Sequence, residues 1–289
     1  HIFNVILVYL LLQQFLPRGR IALLAAILFS VHPLRAEVVA GISYRHDLLA
    51  CFFTVLAMLF YIKFAERARV IFLGGSLLAY FFGLFAKEAA LGLPLMIMAY
   101  EGIYKNKNLR QMTSIFMTNY LPYIFITGFY LWIYIFIFPN SAVSNNSLMG
   151  GQLLTHIALI FKIFFTYIVS FLWPFGVKVL PPLYAPPLKS IFEFDVFGGL
   201  FVFLFCIGAL FYFSKRNKDV FFFLIWSLIF YVPISNLIPL ANPIAHRFTY
   251  LPSIGWVAIF ALVLEKVNSF LNKKLKSPVI VKSIVGGYV

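Results

Sequence analysis

Long apolar segments follow one another along almost the whole chain, separated by short polar or basic turns. Of the 289 residues, 63% are hydrophobic and only 11% are charged, too few to coat a water-soluble core of this size. The segments contain helix formers throughout and lack the ten-residue alternation of an outer-membrane barrel. We therefore predict an all-α, polytopic transmembrane helix bundle.

The apolar segments divide the chain into predicted membrane spans. We predict about nine, at residues 1–16, 21–40, 48–64, 70–86, 89–104, 113–138, 196–213, 220–237 and 248–264. Pro33 is expected to bend or end the second span, because proline has no backbone N–H and clashes with the preceding turn. Residues 1–264 would form one transmembrane domain, and residues 265–289 a basic cytoplasmic tail.

Lysine and arginine are distributed unevenly between the two sides of this bundle. One set of predicted loops, together with the tail, holds sixteen Lys or Arg and four Asp or Glu, whereas the other set holds six and five. Basic residues collect in cytoplasmic loops, so we assign the first set to the inside. The same bias explains the net charge of +14 and removes the reason to expect a nucleic-acid partner.

Residues 152–172 conflict with this orientation. The flanking loops, residues 139–151 and 173–195, are both assigned to the outside, although the segment is long enough to span a bilayer. We therefore expect it to be re-entrant or interfacial. His156 and Lys162 within it would fit an interfacial amphipathic helix.

Ionisable residues occur where three predicted spans meet the outer face. They are Glu37, Arg45 and Asp47, then Lys87 and Glu88, and finally His246 and Arg247. Charge in an apolar setting is costly and usually pairs or faces a cavity, so we expect these residues to line one external cavity. The cations suit phosphate oxygens. The carboxylates can orient the cations, move protons or bind a divalent metal.

These residues also have purely structural interpretations, which the sequence leaves open. Asp47 could cap its helix and pair with Arg45, and Glu37 could pair with Arg35. The other cations could simply extend to lipid headgroups.

Four segments, in the same order along the chain, resemble motifs of a known enzyme family. HPLRAEVVAGISYRHDLLA (residues 32–50) resembles the pattern HP-x-x-x-E-x-V-A-x-x-x-x-R-x-D-L-L-A of the TMTC-type protein O-mannosyltransferases and their bacterial relatives, members of the GT-C glycosyltransferase superfamily. AKEAALGLPLMI resembles their K-E-x-x-x-x-x-P segment, and LWPFGVKVLPPLYAPP their external segment with Trp-Pro and Tyr. HRFTYLPSIG resembles their E-R-x-x-Y-L-P-S-x-G motif.

The resemblance implies a GT-C-type integral membrane glycosyltransferase. It would take a sugar from a polyprenyl-phosphate donor and pass it to a hydroxyl acceptor on protein or glycan, at the outer face of a bacterial or archaeal plasma membrane. The implied ligands of the lipid phosphate are Arg45, Lys87 and Arg247. The implied catalytic carboxylates are Glu37, Asp47 and Glu88.

Further expectations follow from the same resemblance. Glu37 and Asp47 would hold a divalent cation, Mg²⁺ or Mn²⁺, if one is used. Possible acceptor contacts or structural residues are His32, His246, Tyr184 and Tyr250. The family carries its principal catalytic acid in the first external loop, which would precede His1, so we expect a fragment that lacks this acid and is inactive alone. His246 stands where the family pattern has Glu.

Two other function classes compete with the transferase. A secondary transporter would use intramembrane charges as an ion or proton path and would favour broken helices in paired halves. A non-catalytic assembly subunit would need no site at all. The charges lie at one predicted face and no internal repeat is visible, which favours the transferase.

The predicted orientation can be measured by cysteine accessibility. A cysteine placed at residue 178 should react with a membrane-impermeant thiol reagent added from outside intact cells, because loop 173–195 is assigned to that face. Cysteines in loop 214–219 should react only after permeabilisation. Labelling of residue 178 from the cytoplasm alone would overturn the assignment of residues 152–172.

Overall fold

The computed structural model describes residues 1–137, 151–175, 188, 190–240 and 242–275. Within them every regular element is helical, which confirms the all-α prediction. The α-helices are α1 (Ile2–Gln13), α2 (Gly19–Val31), α3 (Ala36–Ala40), α4 (Arg45–Arg67), α5 (Val70–Ala86), α6 (Leu93–Tyr104), α7 (Leu109–Ser114), α8 (Leu121–Phe136), α9 (Leu153–Leu172), α10 (Phe194–Ser214), α11 (Lys218–Tyr231) and α12 (Ser253–Leu275). Short 3₁₀ turns connect several of them, at Pro33–Arg35, Ile42–Tyr44, Glu88–Gly92, Val232–Ile234 and His246–Thr249.

Several helices have the length and apolarity needed to cross a membrane. Five qualify in the described part of the chain: Ile42–Arg67, Phe116–Phe136, Leu153–Leu172, Phe194–Ser214 and Ser253–Leu271. A sixth results if α2 and Pro33–Ala40, which meet at 54°, count as one broken span. The fold is thus compatible with a multi-pass membrane protein. The predicted nine spans are not confirmed, because α6 and α11 have only 12 and 14 residues, fewer than the ~20 that a bilayer requires.

The break after α2 confirms the bend predicted at Pro33. Proline has no N–H, so it cannot bond to the carbonyl of Phe29, four residues earlier. Arg35 supplies the missing donor: its Nε lies 3.2 Å from that carbonyl oxygen, and its Nη2 lies 2.5 Å from Ser253 Oγ. The guanidinium also stacks 4.4 Å from the Phe29 ring. One buried side chain therefore joins the bend to the start of α12.

The packing of α4 against α5 brings two predicted site residues to one end of the bundle. The two helices are connected by a tight turn in which Ala68 is left-handed, with φ of 52°, so they run antiparallel. Asp47 at the start of α4 and Lys87 after α5 therefore lie together. We call this end of the bundle the site end.

At the opposite end, residues from loops assigned to the same side meet in ion pairs. Glu265 of α12 accepts from Arg18 at 2.5 Å and from Arg20 at 2.6 Å. The helix itself begins at Ser253 and continues to Leu275, beyond the predicted end of the last span at residue 264.

The structure corrects the interpretation of residues 152–172. Residues Leu153–Leu172 form α9, a continuous helix of 20 residues, so the segment does not turn back within itself and the re-entrant alternative is wrong. The interfacial alternative stays a prediction. The carbonyl of Phe171, near its end, lies 2.9 Å from His32 Nε2. Lys162 is buried and lies 2.5 Å from Glu193, just before α10.

The contact between α9 and α10 depends on a glycine and yields a test of the packing. A Cβ at Gly199 would collide with the backbone of Phe161, whereas one at Gly208, on the same helix, would meet nothing within 4 Å. We expect Gly199→Ala to destabilise the protein by about 1–3 kcal/mol and Gly208→Ala to leave stability unchanged or slightly raised. Thermal unfolding in detergent measures both. Equal melting temperatures for the two variants would contradict this packing.

Candidate functional site

Four charged side chains from three separate motifs meet at the site end. Glu37 comes from α3, Asp47 from the first turn of α4, Lys87 from the residue after α5, and Arg247 from the 3₁₀ turn before α12. We call these four the charge network. The bend at Pro33 brings α3 to the site end. The α4–α5 hairpin brings Asp47 and Lys87 to the same end.

Glu37 binds both the side chain and the backbone of Arg247. One carboxylate oxygen accepts from the guanidinium Nη1, and the other accepts from the Arg247 backbone N–H at 3.0 Å. Glu37 is only 2% exposed. Its predicted alternative, a pair with Arg35, is wrong, because Arg35 is engaged with Phe29 and Ser253.

Asp47 and Lys87 form the second ion pair of the network. Lys87 Nζ lies 2.5 Å from Asp47 Oδ1, and both side chains are less than a tenth exposed. Aromatic faces complete the surroundings of the two cations. Lys87 Nζ lies 4.4 Å from the Phe248 ring centroid, and the Arg247 guanidinium lies 4.1 Å from that of Tyr44.

The two ion pairs approach each other through atoms that make no hydrogen bond. Arg247 Nε lies 3.9 Å from Asp47 Oδ2, too far for a hydrogen bond. His46 Nε2 lies 3.2 Å from the same oxygen but without the alignment of a hydrogen bond. Both Asp47 Oδ2 and Arg247 Nε are buried and unpartnered among the described residues.

The network contains two carboxylates and two cations, so its formal charges cancel. The atoms that these groups leave unused determine what the network can bind. Each cation keeps N–H donors beyond those its carboxylate uses, since an ammonium has three and a guanidinium five. Each carboxylate is already neutralised, and the described residues contain no group of three or more His, Cys, Asp or Glu able to hold a metal. The divalent cation expected at Glu37 and Asp47 stays a prediction.

Arg45 and Glu88 lie outside the network, which corrects their predicted convergence with the others. Both are exposed. Arg45 instead lines a shallow surface groove beside Asn4 and Leu48, between α1 and α4. It makes no ion pair with Asp47 in the described part of the chain, so the predicted local salt bridge is also wrong.

His32 and Tyr250 are engaged in structural hydrogen bonds. His32 Nδ1 accepts from the backbone of Leu34 at 3.3 Å, and its ring stacks on Phe171. The hydroxyl of Tyr250 lies 2.6 Å from His1 Nδ1, and the side chain is 1% exposed. Of their two predicted roles, the structural one fits both.

His246 is buried beside the network, with Nδ1 unpartnered among the described residues. Burial lowers its pKa, and the neighbouring Glu37 carboxylate opposes that shift only in part. Tyr184 lies outside the described residues.

Sequence reasoning missed three features of the structure. His46 lies between two other charged residues, and the sequence suggests for Arg35 only a pair with Glu37. At the opposite end, Glu101 is fully buried; it accepts from the Tyr61 hydroxyl at 2.7 Å and pairs with Lys107 at 2.8 Å. A carboxylate inside an apolar segment was the available signal for Glu101.

Comparisons with known proteins add no further assignment: no family model, curated protein or solved structure matches the chain.

The Asp47–Lys87 pair yields a stability prediction. Lys87→Met should destabilise the protein by about 3–5 kcal/mol, because it leaves a buried carboxylate without its main partner. Adding Asp47→Asn should recover part of this loss. Unfolding of the single and double variants in detergent measures the coupling.

The matched control is Glu88→Gln, the adjacent exposed position, which should change stability by no more than about 0.5 kcal/mol. If Lys87→Met were as stable as this control, the buried ion pair would not be part of the native fold.

Proposed function

We propose that the chain is an integral membrane glycosyltransferase of the GT-C type, which moves a sugar from a polyprenyl-phosphate donor to a protein Ser or Thr hydroxyl. The observation that carries this proposal is the convergence of Glu37, Asp47, Lys87 and Arg247 at one end of the bundle. These residues come from three of the segments that resemble the family motifs.

The surroundings of the network suit a lipid phosphate. Lys87 and Arg247 offer N–H donors that their carboxylates leave unused. Large apolar side chains next to the network are exposed, among them Val39 at 50% and Ile42 at 74%. An isoprenoid chain gains ~0.8 kcal/mol per buried CH₂, so an apolar flank beside a cationic centre favours such a donor.

The chemistry follows from where charge develops. When the bond between the sugar and the phosphate breaks, negative charge grows on the leaving phosphate, and donors already held in place stabilise it most effectively. Glu37 and Asp47 hold Arg247 and Lys87 in position. An acceptor hydroxyl attacking the opposite face of the sugar gives inversion.

The location of the site is part of the proposal. The Lys/Arg bias favours an orientation with the opposite end, which holds Arg18 and Arg20, in the cytoplasm. The network would then lie at the outer face, and the resemblance to the family implies that the membrane is a bacterial or archaeal plasma membrane. The donor would then be bound from the outer leaflet.

A secondary transporter is the second candidate, and the buried Glu101 is the observation that favours it. Asp47 and Tyr61 lie on α4 fourteen positions apart, about 21 Å along the helix axis. Buried Thr54 lies between them, with its hydroxyl unpartnered in the described residues. Polar groups at both ends could serve a proton path, but they are separated by apolar packing, so we rank transport lower.

Transfer of radiolabelled mannose from polyprenyl-phosphate mannose to a Ser/Thr-rich peptide tests the proposal. The protein is expressed from its complete coding sequence and reconstituted in liposomes. Lys87→Gln and Arg247→Gln should each lower transfer about 100-fold or more, because each removes donors aimed at the developing charge.

The control is Lys63→Gln, an exposed cation at the opposite end, which should retain wild-type transfer. Uptake assays on the same liposomes separate the rivals. Solute accumulation without sugar transfer would favour the transporter and refute the transferase.

A further inference from the structure

A groove on the side of the bundle lies between α1 and α4, with Arg45 at its site end. Phe3 of α1 and Leu48, Leu49 and Phe52 of α4 form its apolar walls, and its volume is about 310 Å³. Arg45 and Phe52 are seven positions apart, so the wall formed by α4 extends about 10 Å along the helix axis. The groove therefore has a cationic end and an apolar length, the two parts that an amphiphilic ligand contacts.

The side chain of Arg45 has no partner in the described part of the chain. It is exposed, and it makes no hydrogen bond, ion pair or aromatic contact with the residues there. No Asp or Glu lines the groove among the same residues. A guanidinium binds phosphate oxygens through charge-assisted, often bidentate hydrogen bonds. An anionic headgroup at this end would therefore meet a cation whose five N–H donors are all unused.

A hydrogen bond next to the groove fixes the spacing of its two helices. Asn4 of α1 is 3% exposed, and its Nδ2 donates to the Leu48 carbonyl of α4 at 2.9 Å and to the Tyr250 hydroxyl at 3.3 Å. This side chain ties α1 to α4 at the level of the groove, so the walls are in place before a ligand arrives. A preformed site loses less conformational entropy on binding.

The size of the groove suits a hydrocarbon chain and excludes a partner helix. Its volume, spread over a length of about 10 Å, leaves a width of about 6 Å. An α-helix with its side chains is about 10–12 Å across, whereas a single acyl chain is narrow enough to enter. The groove would hold the first part of such a chain, next to the headgroup, and the rest of the lipid would stay in the bilayer.

The direction of Arg45 separates this groove from the charge network. Arg45 precedes Asp47 by two positions, about 200° around the helix. Asp47 is buried with Lys87, whereas Arg45 is exposed. A phosphate held by Arg45 would therefore not reach the cations of the network. This geometry favours a resident membrane lipid over the polyprenyl-phosphate donor as the occupant.

We propose that the groove between α1 and α4 binds an anionic glycerophospholipid, with Arg45 on its phosphate and one acyl chain along Leu48, Leu49 and Phe52. An anionic lipid is favoured over a zwitterionic one, because the ammonium of a zwitterionic headgroup would meet Arg45 and no carboxylate in the described lining. The inference is independent of the proposed glycosyltransferase function, since it requires no donor, acceptor or reaction.

Photo-crosslinking identifies the occupant directly. Benzoylphenylalanine replaces Leu49, which lines the groove and is 48% exposed. The matched control carries it at Leu78, an exposed apolar position on α5. The protein, expressed from its complete coding sequence, is illuminated in liposomes that contain phosphatidylglycerol and phosphatidylcholine in known proportion, and mass spectrometry identifies the attached lipid.

Position 49 should capture phosphatidylglycerol about 5-fold in excess of the bilayer proportion, because one basic residue near the surface attracts an anionic lipid by about that factor. Position 78 should capture the two lipids in the bilayer proportion.

Variants at Arg45 assign the preference to its charge. Arg45→Gln should remove the enrichment at position 49, and Arg45→Lys should retain most of it, because Lys keeps the charge but loses the bidentate geometry. Both changes affect an exposed side chain, so they should alter stability little. Arg69→Gln, which removes an exposed cation just before α5, should leave the enrichment at position 49 unchanged.

Four other results would each refute the proposal. Capture at position 49 in the bilayer proportion would mean an ordinary lipid-facing surface. A crosslink to another part of the protein or to a second copy would mean that protein covers the groove. Preferential capture of added polyprenyl phosphate would mean that the groove serves the donor. Enrichment that survives Arg45→Gln would mean that Arg45 does not hold the headgroup.

Discussion

Mutual neutralisation of four charges, of which Glu37, Asp47 and Lys87 are buried and Arg247 is 11% exposed, is the constraint on which the site end depends. A carboxylate or ammonium moved from water into an apolar bundle loses several kcal/mol of solvation unless a partner compensates. Here Glu37 and Arg247 compensate each other, as do Asp47 and Lys87. Because the four residues come from α3, α4, the end of α5 and the turn before α12, these pairs fix the relative positions of elements far apart in sequence.

Hydrogen bonds made by Arg35 and His32 hold in place the helices that carry the charge network. Pro33 ends α2 and frees the Phe29 carbonyl, and Arg35 satisfies that carbonyl while reaching Ser253. His32 ties the same bend to the end of α9. These hydrogen bonds hold the bend at Pro33 in one geometry, and Glu37, just after the bend, reaches Arg247. Precise placement of this kind is what a site with preorganised donors requires.

All four members of the charge network could be predicted from the sequence, but so were two residues that lie outside it, and the difference has a geometric reason. Glu37, Asp47, Lys87 and Arg247 each stand where an apolar run ends, and charge at such a place is costly enough to mark a site. Arg45 and Glu88 satisfy the same criterion but are exposed. Arg45 precedes Asp47 by two positions, about 200° around an α-helix, so the two side chains face different surroundings. The sequence contains both residues without indicating which one faces inward.

The sequence by itself determined the helical class, the apolar segments, the bend at Pro33 and the clustering of basic residues in one set of loops, because each depends on local composition or backbone chemistry. Tertiary structure decided which carboxylate pairs with which cation, that α9 is one continuous helix, and that Glu101 is buried with Tyr61 and Lys107. It also left Asp47 Oδ2 and Arg247 Nε facing each other. Pairing is a property of distances between helices, and helix packing sets those distances through contacts that no single segment contains.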